Sequence, residues 1–229
     1  MSSIGTLKEG SLHRHLKFRY SQLGKTEVPV GDYVCDVQTG DGELIEVQTG
    51  SFGPLKEKIA RLSKNKKIKI IYPVIICKYI ELYDVDGKLL RKRKSPKKGS
   101  AWDLFKALLY APELPLNPMV KIELVFLDIT EKRKNDGKGS WRRKGVTIED
   151  RVPVSWRQSI VLNELNDYNL FIPIQGETFT VKDLCDRTGI RKELSQKCLY
   201  VLNKMKIIEQ AGKKGNAYIY KKRGVQDQS

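Results

Sequence analysis

The stretch that decides the fold is CDVQTGDGELIEVQTG, residues 35–50. Two short segments rich in β-forming residues flank a Gly-Asp-Gly sequence, which predicts a β-hairpin. Asp36 lies in the first segment, and Glu46 and Gln48 lie in the second. Side chains alternate between the two sides of a strand, so Glu46 and Gln48 share one side. We expect Asp36 to approach them from the neighbouring strand.

The two acids of this hairpin predict a metal site. Two carboxylates and a main-chain carbonyl at one place form a hard, oxygen-rich site of the kind that Mg²⁺ or Mn²⁺ prefers. A metal ion held there can polarise a phosphate and lower the pKa of a bound water. The alternative is that Asp36 and Glu46 are exposed residues without a role. Glu46 lies between apolar residues, however, where an idle charge is costly to bury. Asp32 is a rival ligand that we rank below Asp36.

Length and composition indicate a globular protein. The chain has 229 residues, of which 40% are hydrophobic, enough for one large domain or two small ones. No apolar run approaches the roughly 18 residues of a membrane span, and residues 1–20 lack an apolar signal core. The four cysteines include no C-x-x-C pair, which argues against a structural zinc site. We therefore expect free thiols, a cytoplasmic location and no membrane partner.

The formal net charge of +16 predicts a polyanionic partner, because each neutralised phosphate releases counterions. The alternative is that the charge serves solubility alone, but the positive residues are clustered. One cluster is KLLRKRKSPKKG, residues 88–99, and a second is SWRRKG, residues 140–145. Trp141 in the second cluster can pack in the core or stack on a base, and we expect the core. The expected DNA contacts in the two clusters are Arg91, Lys92, Arg93, Lys94, Lys97, Lys98, Arg142, Arg143 and Lys144.

The order of elements over residues 1–150 is typical of an α/β protein. A helix with Thr6 as N-cap, the hairpin, a helix that begins near Pro54 and a long apolar strand at residues 67–82 follow one another. A helix between two strands predicts a crossover within one sheet. The two basic clusters read as exposed loops, the second as part of a longer loop at residues 131–145.

A separate domain is expected from residue 151 to residue 229. Residues 155–167 read as a helix, Thr180 and Asp183 resemble a capping box that starts a second helix, and residues 191–206 read as a third. A hairpin with a basic turn follows, and this order resembles a winged helix-turn-helix. Its third helix would enter a major groove and its wing would contact phosphates. The residues expected to do so are Arg191, Lys192, Gln196, Lys213 and Lys214.

Asp36, the Glu46-Val47-Gln48 triplet and a preceding helix with Glu9 resemble the PD-(D/E)XK nuclease superfamily. The elements KEGSLHRHLK, IEVQTGSFGPLKEK, YPV and RKSPKKG, with the winged helix, are also similar to an uncharacterised bacterial family. The resemblance implies a restriction-endonuclease-like mixed sheet flanked by helices, followed by the winged helix. It also implies that Asp36 and Glu46 bind Mg²⁺ or Mn²⁺ and that Glu9 assists them. On the residues alone, Glu9 can equally pair with a lysine of its own helix.

Gln48 departs from the superfamily pattern, because it occupies the position of a lysine. That lysine can position the attacking water and offset the charge of the phosphate. Glutamine can hydrogen-bond a water, but it carries no charge and accepts no proton at neutral pH. Lys56 or Lys58 on the following helix can supply the missing charge. His13 is a further candidate base, although a single histidine on a helix face is more often a packing residue.

These features predict a metal-dependent deoxyribonuclease that hydrolyses phosphodiester bonds and holds DNA with its winged helix. Its catalytic residues would be Glu9, Asp36, Glu46 and Gln48. The alternative is a non-catalytic DNA-binding regulator with a degenerate nuclease core, and RNA binding is a weaker option. A homodimer is expected if both strands of a duplex are cut, because one active site faces one strand.

Overall fold

The computed structural model describes residues 10–223, which form a mixed α/β protein with two β-sheets. The larger sheet has seven strands and is flanked by helices, and the smaller sheet has three strands. The helices are α1 (Ser11–Ser21), α2 (Lys56–Leu62), α3 (Leu104–Leu108), α4 (Val181–Thr188) and α5 (Lys192–Lys204). The strands are β1 (Gly24–Val30), β2 (Tyr33–Thr39), β3 (Leu44–Val47), β4 (Ile68–Tyr83), β5 (Leu89–Lys94), β6 (Val120–Asn135), β7 (Val146–Leu162), β8 (Thr178–Phe179), β9 (Ile208–Lys214) and β10 (Ala217–Lys222). No helix within residues 10–223 is long and apolar enough to span a membrane.

The first three strands form an antiparallel meander beside α1. β2 and β3 are the hairpin that the sequence predicts, with Gly42 in the left-handed region at a φ of 87°. β3 then pairs in parallel with β4, and α2 makes the crossover between them, as expected. β1 is a further strand that the sequence reading missed, and it pairs with β2 at one edge of the sheet. The expected helix N-cap, Thr6, lies outside the described residues.

Two long strands, β4 and β6, form the centre of the larger sheet. They pair in parallel from Ile68 and Val120 to Tyr83 and Lys134. β5 pairs with the far half of β4, and β7 pairs with β6, both antiparallel. The loops predicted at the two basic clusters are therefore wrong in part. In the first cluster, residues 89–94 form β5, and in the longer loop predicted at residues 131–145, strand β6 continues to Asn135. These polar segments form strands because their backbones hydrogen-bond to strands that are distant in sequence, and their composition does not predict this pairing.

Each face of the larger sheet has its own hydrophobic core. On one face, the buried side of α1 packs against Ile45 and Ile71. On the other face, α2 and α3 pack against Leu44 and Ile70. Neighbouring residues of β3 and β4 thus enter opposite cores, as the period of two in a strand requires. The sheet is buried on both sides where β3 meets β4, which explains the near-continuous apolar sequence of β4.

The C-terminal unit consists of α4, α5 and the three-stranded sheet, with strand order β8–β10–β9. The capping box predicted at the start of α4 is confirmed, because Thr180 N–H donates to the Asp183 carboxylate at 2.7 Å and Asp183 N–H donates to Thr180 Oγ1 at 3.4 Å. The helix predicted at residues 155–167 is wrong. Residues 155–162 belong to β7, because β6 offers a strand edge for pairing, and Leu165–Phe171 form a 3-10 helix.

The two units share a core. β7 runs through the boundary expected at residues 150 and 151, so the larger sheet extends to Leu162. Phe171 is fully buried, with its ring centroid 4.7 Å from that of Phe105 and 5.9 Å from that of Trp102. The indole N–H of Trp102 also donates to the Phe171 carbonyl at 3.3 Å. Phe171 thus packs the segment before the C-terminal unit onto α3, and the buried residues of α5 belong to the same core.

Truncation of Phe171 tests this shared core. We expect Phe171→Ala to lower the free energy of unfolding by about 3–5 kcal/mol, the usual loss for removing a buried aromatic ring. Urea unfolding followed by circular dichroism and tryptophan fluorescence would measure it, with both signals moving together. The neighbouring Leu170, which is partly exposed, provides the matched control Leu170→Ala. Two separate unfolding transitions in the wild-type protein would contradict the shared core.

Candidate active site

Asp36 joins two strands and a helix. The regular pairing of β2 with β3 stops one residue short of it, and its carboxylate then accepts the Val47 N–H at 2.8 Å. On α1, His13 Nε2 lies 3.4 Å from Asp36 Oδ2, and Lys17 Nζ lies 3.5 Å from Oδ1. One carboxylate thus fixes the end of the hairpin to the helix that covers it.

These partners keep Asp36 ionised. Burial by itself raises the pKa of this carboxyl, because it disfavours the charged form. The hydrogen bonds from His13 and from Val47 N–H, with the positive charges of His13 and Lys17, outweigh burial and hold the pKa below its ordinary value. Asp36 is therefore an anion at neutral pH.

Glu46 is buried, with 4% of its surface exposed, and faces a lysine. Lys58 Nζ from α2 lies 2.5 Å from Glu46 Oε1, in an ion pair without the alignment of a directed hydrogen bond. Burial raises the pKa of Glu46, Lys58 opposes this rise, and the negative charge of Asp36 adds to it. The net shift is upward. Burial and the neighbouring Glu46 also raise the pKa of the Cys35 thiol to about 12, so Cys35 remains protonated.

The two carboxylates contact different helices. Asp36 contacts α1 and Glu46 contacts α2, and these helices pack on opposite faces of the larger sheet. This differs from the expectation that both acids and Gln48 point to one side. The alternation is interrupted because the Asp36 side chain, rather than a main-chain carbonyl, accepts the Val47 N–H. The acids remain close enough for the charge of Asp36 to raise the pKa of Glu46.

Gln48 fixes the chain where it leaves β3. Its side-chain Nε2 donates to the Ser51 carbonyl at 2.6 Å, and its main-chain N–H donates to the Ile71 carbonyl at 2.9 Å. The side-chain amide therefore holds the turn at Ser51, and the main-chain N–H continues the pairing with β4 by one residue. Of the two lysines considered for the missing charge, Lys58 reaches Glu46, whereas Lys56 forms an ion pair with Glu113 near the surface.

Asp36 and Glu46 are the carboxylates that a metal ion would use. Glu46 Oε1 is buried, and the Lys58 ammonium lies against it. Within residues 10–223, no group of three or more His, Cys, Asp or Glu residues is arranged to hold a metal. Mg²⁺ often keeps several waters and takes one or two carboxylates beside substrate phosphates. The pair therefore suits Mg²⁺ in donor type and number, with Lys58 as a competitor for Glu46.

A cleft of about 1200 Å³ lies next to Asp36, although none of Asp36, Glu46 and Lys58 lines it. Its walls come from the start of α1, the middle of β4, residues 96–103, the start of β7 and the junction of α4 with α5. His13 lines the cleft and contacts Asp36, and Thr49, which follows Gln48, lines it as well. In the part of the chain that the structure describes, the cationic side chains of the wall are Lys78, Lys97, Lys98, Lys106, Arg151, Arg191 and Lys197.

The predicted DNA contacts Lys97 and Lys98 lie on a loop that is tied to β4. The N–H groups of Ser95 and Gly99 donate to main-chain carbonyls of β4 at 2.7 and 2.8 Å. A Cβ atom at Gly99 would lie 2.5 Å from the Ile75 carbonyl oxygen, so glycine permits this close approach. The loop thus presents its two lysines to the cleft from a fixed position.

Residues 91–94 form an exposed strand with two different faces. The pairing of β5 with β4 places Arg91 and Arg93 on the same face as Lys78, which lines the cleft. The two lysines of this strand lie on the opposite face, where one of them forms an ion pair with Glu81 at 2.9 Å. The four charges expected to act together are therefore divided between two surfaces.

The other predicted DNA contacts lie at separate places. Arg142, Arg143 and Lys144 occupy the turn between β6 and β7, and Trp141 beside them is 83% exposed, so its expected place in the core is wrong. The contacts predicted in the C-terminal unit are all exposed, namely Arg191, Lys192, Gln196, Lys213 and Lys214. Of these, Arg191 lines the cleft together with Lys97 and Lys98.

The predicted catalytic residue Glu9 lies outside the described residues. Several charged residues near the site were not predicted from the sequence. Lys17 follows His13 by one helical turn, which is the signal that could have found it. Lys78 and Arg151 come from different strands and lie 3.3 and 3.0 Å from the carboxylate of Glu131, which is 1% exposed. No local sequence pattern reveals a cluster of this kind, because its members meet only across the sheet.

The fold and the site define a mixed α/β protein whose large sheet carries an acid–lysine cluster near a cleft lined by charged side chains of both signs. The chain belongs to the family described as "Domain of unknown function (DUF8091)", whose model matches residues 10–163. An uncharacterised protein of Treponema pallidum (strain Nichols) is 33% identical over 150 residues, covering 65% of this chain. The chain spans 60% of the length of that relative. No solved structure matches the chain.

The pH dependence of stability tests the contacts of Asp36. We expect Asp36→Asn to lower the free energy of unfolding at pH 7 by about 1–3 kcal/mol, because hydrogen bonds to a charged group are lost. Since the folded-state pKa is lowered, this contribution is complete above the unfolded-state pKa and disappears as the pH falls through the folded-state value. The difference between the two proteins should therefore shrink from about pH 5 downward.

Urea unfolding at a series of pH values would measure this difference. The matched control is Asp32→Asn, because Asp32 is exposed on the turn between β1 and β2. A difference that stays constant as the pH falls through the acid range would show that the Asp36 charge does not stabilise the fold.

Proposed function

We propose that this protein is a metal-dependent nuclease that hydrolyses phosphodiester bonds in DNA. The observation that carries the proposal is the ion pair of Lys58 with buried Glu46, next to the strand that holds Asp36. Two acids and a lysine are the groups that resemblance to the PD-(D/E)XK superfamily implies. Here the lysine comes from α2 instead of from the position of Gln48.

The arrangement of elements supports a restriction-endonuclease-like fold. The resemblance implies a helix, a hairpin, a helix and a further strand, in that order. The observed order of α1, the β1–β3 meander, α2 and the parallel strand β4 is compatible with it. Two helices followed by a hairpin, with β8 added to the sheet, are likewise compatible with a winged helix.

Lys58 would serve the reaction as a fixed positive charge. It is mostly buried, and its ammonium also donates to the Val34 carbonyl at 2.7 Å, which holds it in place. A positioned cation stabilises the negative charge that develops on a phosphate in the transition state, more strongly in a site that excludes water. Mg²⁺ bound by Asp36 and Glu46 would supply Lewis acidity and a water of lowered pKa.

The opposed pKa shifts suit different roles for the two acids. Asp36 has a lowered pKa and stays anionic, as a permanent ligand must. Glu46 has a raised pKa, so its charge depends on the cation beside it. A pair of carboxyls whose environments push their pKa values apart is a recurrent feature of hydrolytic sites.

The cleft provides a path for the substrate. Lys97 and Lys98 on one wall and Arg191 on the other could neutralise phosphates on either side of a strand. Arg91 and Arg93 continue this positive face along β5. His13 connects the cleft to Asp36, so a phosphate in the cleft would lie near this acid.

The second candidate is a non-catalytic DNA-binding protein with a degenerate nuclease core. It is favoured by the observation that both acids already have cationic partners, so the site is electrically balanced as it stands. The cations do not distinguish DNA from RNA, which makes RNA a substrate to test. A homodimer would be required to cut both strands in one encounter, and sedimentation with and without DNA would reveal it.

Cleavage assays with site variants test the nuclease proposal. We expect Asp36→Asn and Glu46→Gln to abolish cleavage, because each removes a charged metal ligand. Lys58→Ala should lower the rate by about 100-fold or more, the usual effect of removing a transition-state contact. Lys56→Ala is the matched control, since Lys56 lies on the same helix and pairs with Glu113 instead.

The substrates should include duplex, nicked, flapped and single-stranded DNA and RNA, with Mg²⁺ or Mn²⁺ and with EDTA. Thermal melting of every variant separates loss of chemistry from loss of folding. Wild-type protein that binds DNA but cleaves no form would favour the non-catalytic candidate. Wild-type protein that neither binds nor cleaves any of these nucleic acids would contradict both.

The two faces of β5 provide a matched test of DNA binding. We expect Arg91→Ala/Arg93→Ala to weaken duplex binding and to reduce the slope of log K against log salt by about two, one for each lost phosphate contact. Lys92→Ala/Lys94→Ala removes the same charge from the face that points away from the cleft and should have the smaller effect. Equal effects of the two double variants would exclude the cleft face as the path of the DNA backbone.

A further inference from the structure

Trp141 is an exposed aromatic side chain with no core to explain it. It begins the 3-10 turn Trp141–Arg143 between β6 and β7, and its side chain is 83% exposed. The ring adds little buried area to the core and presents its faces to the solvent, where a planar ligand can reach them. Neither the fold nor the proposed chemistry at Asp36 and Glu46 accounts for it.

The turn that carries Trp141 is held by its own hydrogen bonds. Gly139 N–H donates to the Gly145 carbonyl at 2.7 Å, and Lys144 N–H donates to the Trp141 carbonyl at 3.0 Å. Arg143 Nε donates to the Val146 carbonyl at 3.1 Å. The backbone therefore presents the ring from a defined position, which lowers the entropy lost when a ligand stacks on it.

Positive charge surrounds the ring. Lys138, Arg142, Arg143 and Lys144 all lie within the same turn, and the Arg142 guanidinium carbon is 5.5 Å from the centre of the Trp141 ring. Asp136, the acid of this turn, accepts hydrogen bonds from Thr147 Oγ1 and Lys138 N–H. The surface thus combines a planar aromatic face with cations, which fits a planar ligand that carries phosphates.

The same combination recurs on the C-terminal unit. Lys213 Nζ lies 4.6 Å from the ring centre of the exposed Tyr218, and Lys204 Nζ lies 5.7 Å from that of the exposed Tyr200. Aromatic rings beside lysine or arginine are the usual platform for unpaired nucleotides, because a base stacks on the ring and the cation contacts the backbone. Within a duplex the base faces are stacked on one another and offer no free face.

We propose that Trp141 stacks on an unpaired base of a single-stranded nucleic acid whose phosphates are neutralised by the cations of the same turn. The inference deepens the proposed function and rests on it in taking nucleic acid as the ligand. It adds the substrate class, namely DNA or RNA whose single-stranded part contacts the turn between β6 and β7. It does not require that Asp36 and Glu46 be catalytic.

Binding measurements with the full chain test this proposal. The probes are labelled oligothymidine, oligouridine, an abasic oligomer of equal length and a duplex, each followed by fluorescence anisotropy. We expect Trp141→Ala to weaken binding of oligothymidine or oligouridine by about 5- to 150-fold, the range for loss of one base–aromatic stack. Binding of the duplex and of the abasic oligomer should change little. Trp141→Phe, which keeps a smaller ring, should restore much of the affinity.

Two further variants separate stacking from charge and from general exposure. Arg142→Ala/Lys144→Ala should weaken binding of the abasic oligomer and the duplex as well, because phosphates are contacted in both. Tyr110→Ala, which removes another strongly exposed ring, should change neither. Oligothymidine should also quench the tryptophan fluorescence of the wild-type protein more than that of Trp141→Phe.

Several results would overturn the stacking proposal while leaving the proposed function intact. One is unchanged affinity of Trp141→Ala for both oligothymidine and oligouridine, and another is an equal loss with the abasic oligomer. Binding to phosphatidylserine vesicles that requires Trp141, without any effect on oligonucleotides, would assign the ring to a membrane surface instead. If the wild-type protein cleaves no nucleic acid but binds oligonucleotides in a manner that requires Trp141, the nuclease proposal is overturned and the stacking proposal stands.

Discussion

The hydrogen bond from Val47 N–H to the Asp36 carboxylate is the contact on which the rest of the site depends. It ends the regular pairing of β2 with β3 and brings a charged group to the position of a main-chain acceptor. A carboxylate placed there needs positive partners, and α1 supplies His13 and Lys17. The same contact therefore closes the hairpin, docks α1 and brings His13 to the edge of the cleft.

A second consequence is the separation of the two acids. The interruption of the strand at Asp36 gives it partners on α1, whereas Glu46 remains in the regular strand and meets Lys58 from α2. Each acid acquires a different electrostatic environment, so one pKa falls and the other rises. Two carboxyls on adjacent strands thus become chemically distinct, because each is buried beside different side-chain partners.

Much of the fold could be predicted from local sequence signals. The β2–β3 hairpin, α2 after Pro54, the apolar strand β4 and the caps of α4 each have a signal within a few residues, and the structure confirms them. β7 and the basic part of β5 could not be predicted in this way, because these polar sequences become strands only by pairing with β6 and β4. Local pattern cannot show which distant strand edge is available.

The site divides along the same line. Asp36, Glu46 and the lysine candidates on α2 could be named from their positions around the hairpin. The choice of Lys58 over Lys56 could not, because it depends on how α2 rests on the sheet. The prediction that Trp141 packs in the core was wrong, because a tryptophan is buried in most proteins. In the structure, the hydrogen bonds of the turn hold its backbone at the hairpin tip, and the ring is exposed to solvent.

The proposed function requires that Asp36 and Glu46 together bind one divalent cation, with Lys58 as its neighbour. Crystals soaked in Mn²⁺ test it most directly, because the anomalous scattering of manganese locates the ion independently of any assumed chemistry. We expect an anomalous peak in contact with carboxylate oxygens of both Asp36 and Glu46, with the Lys58 ammonium still held beside them by the Val34 carbonyl. An anomalous map without a peak at this position at saturating Mn²⁺ would contradict it.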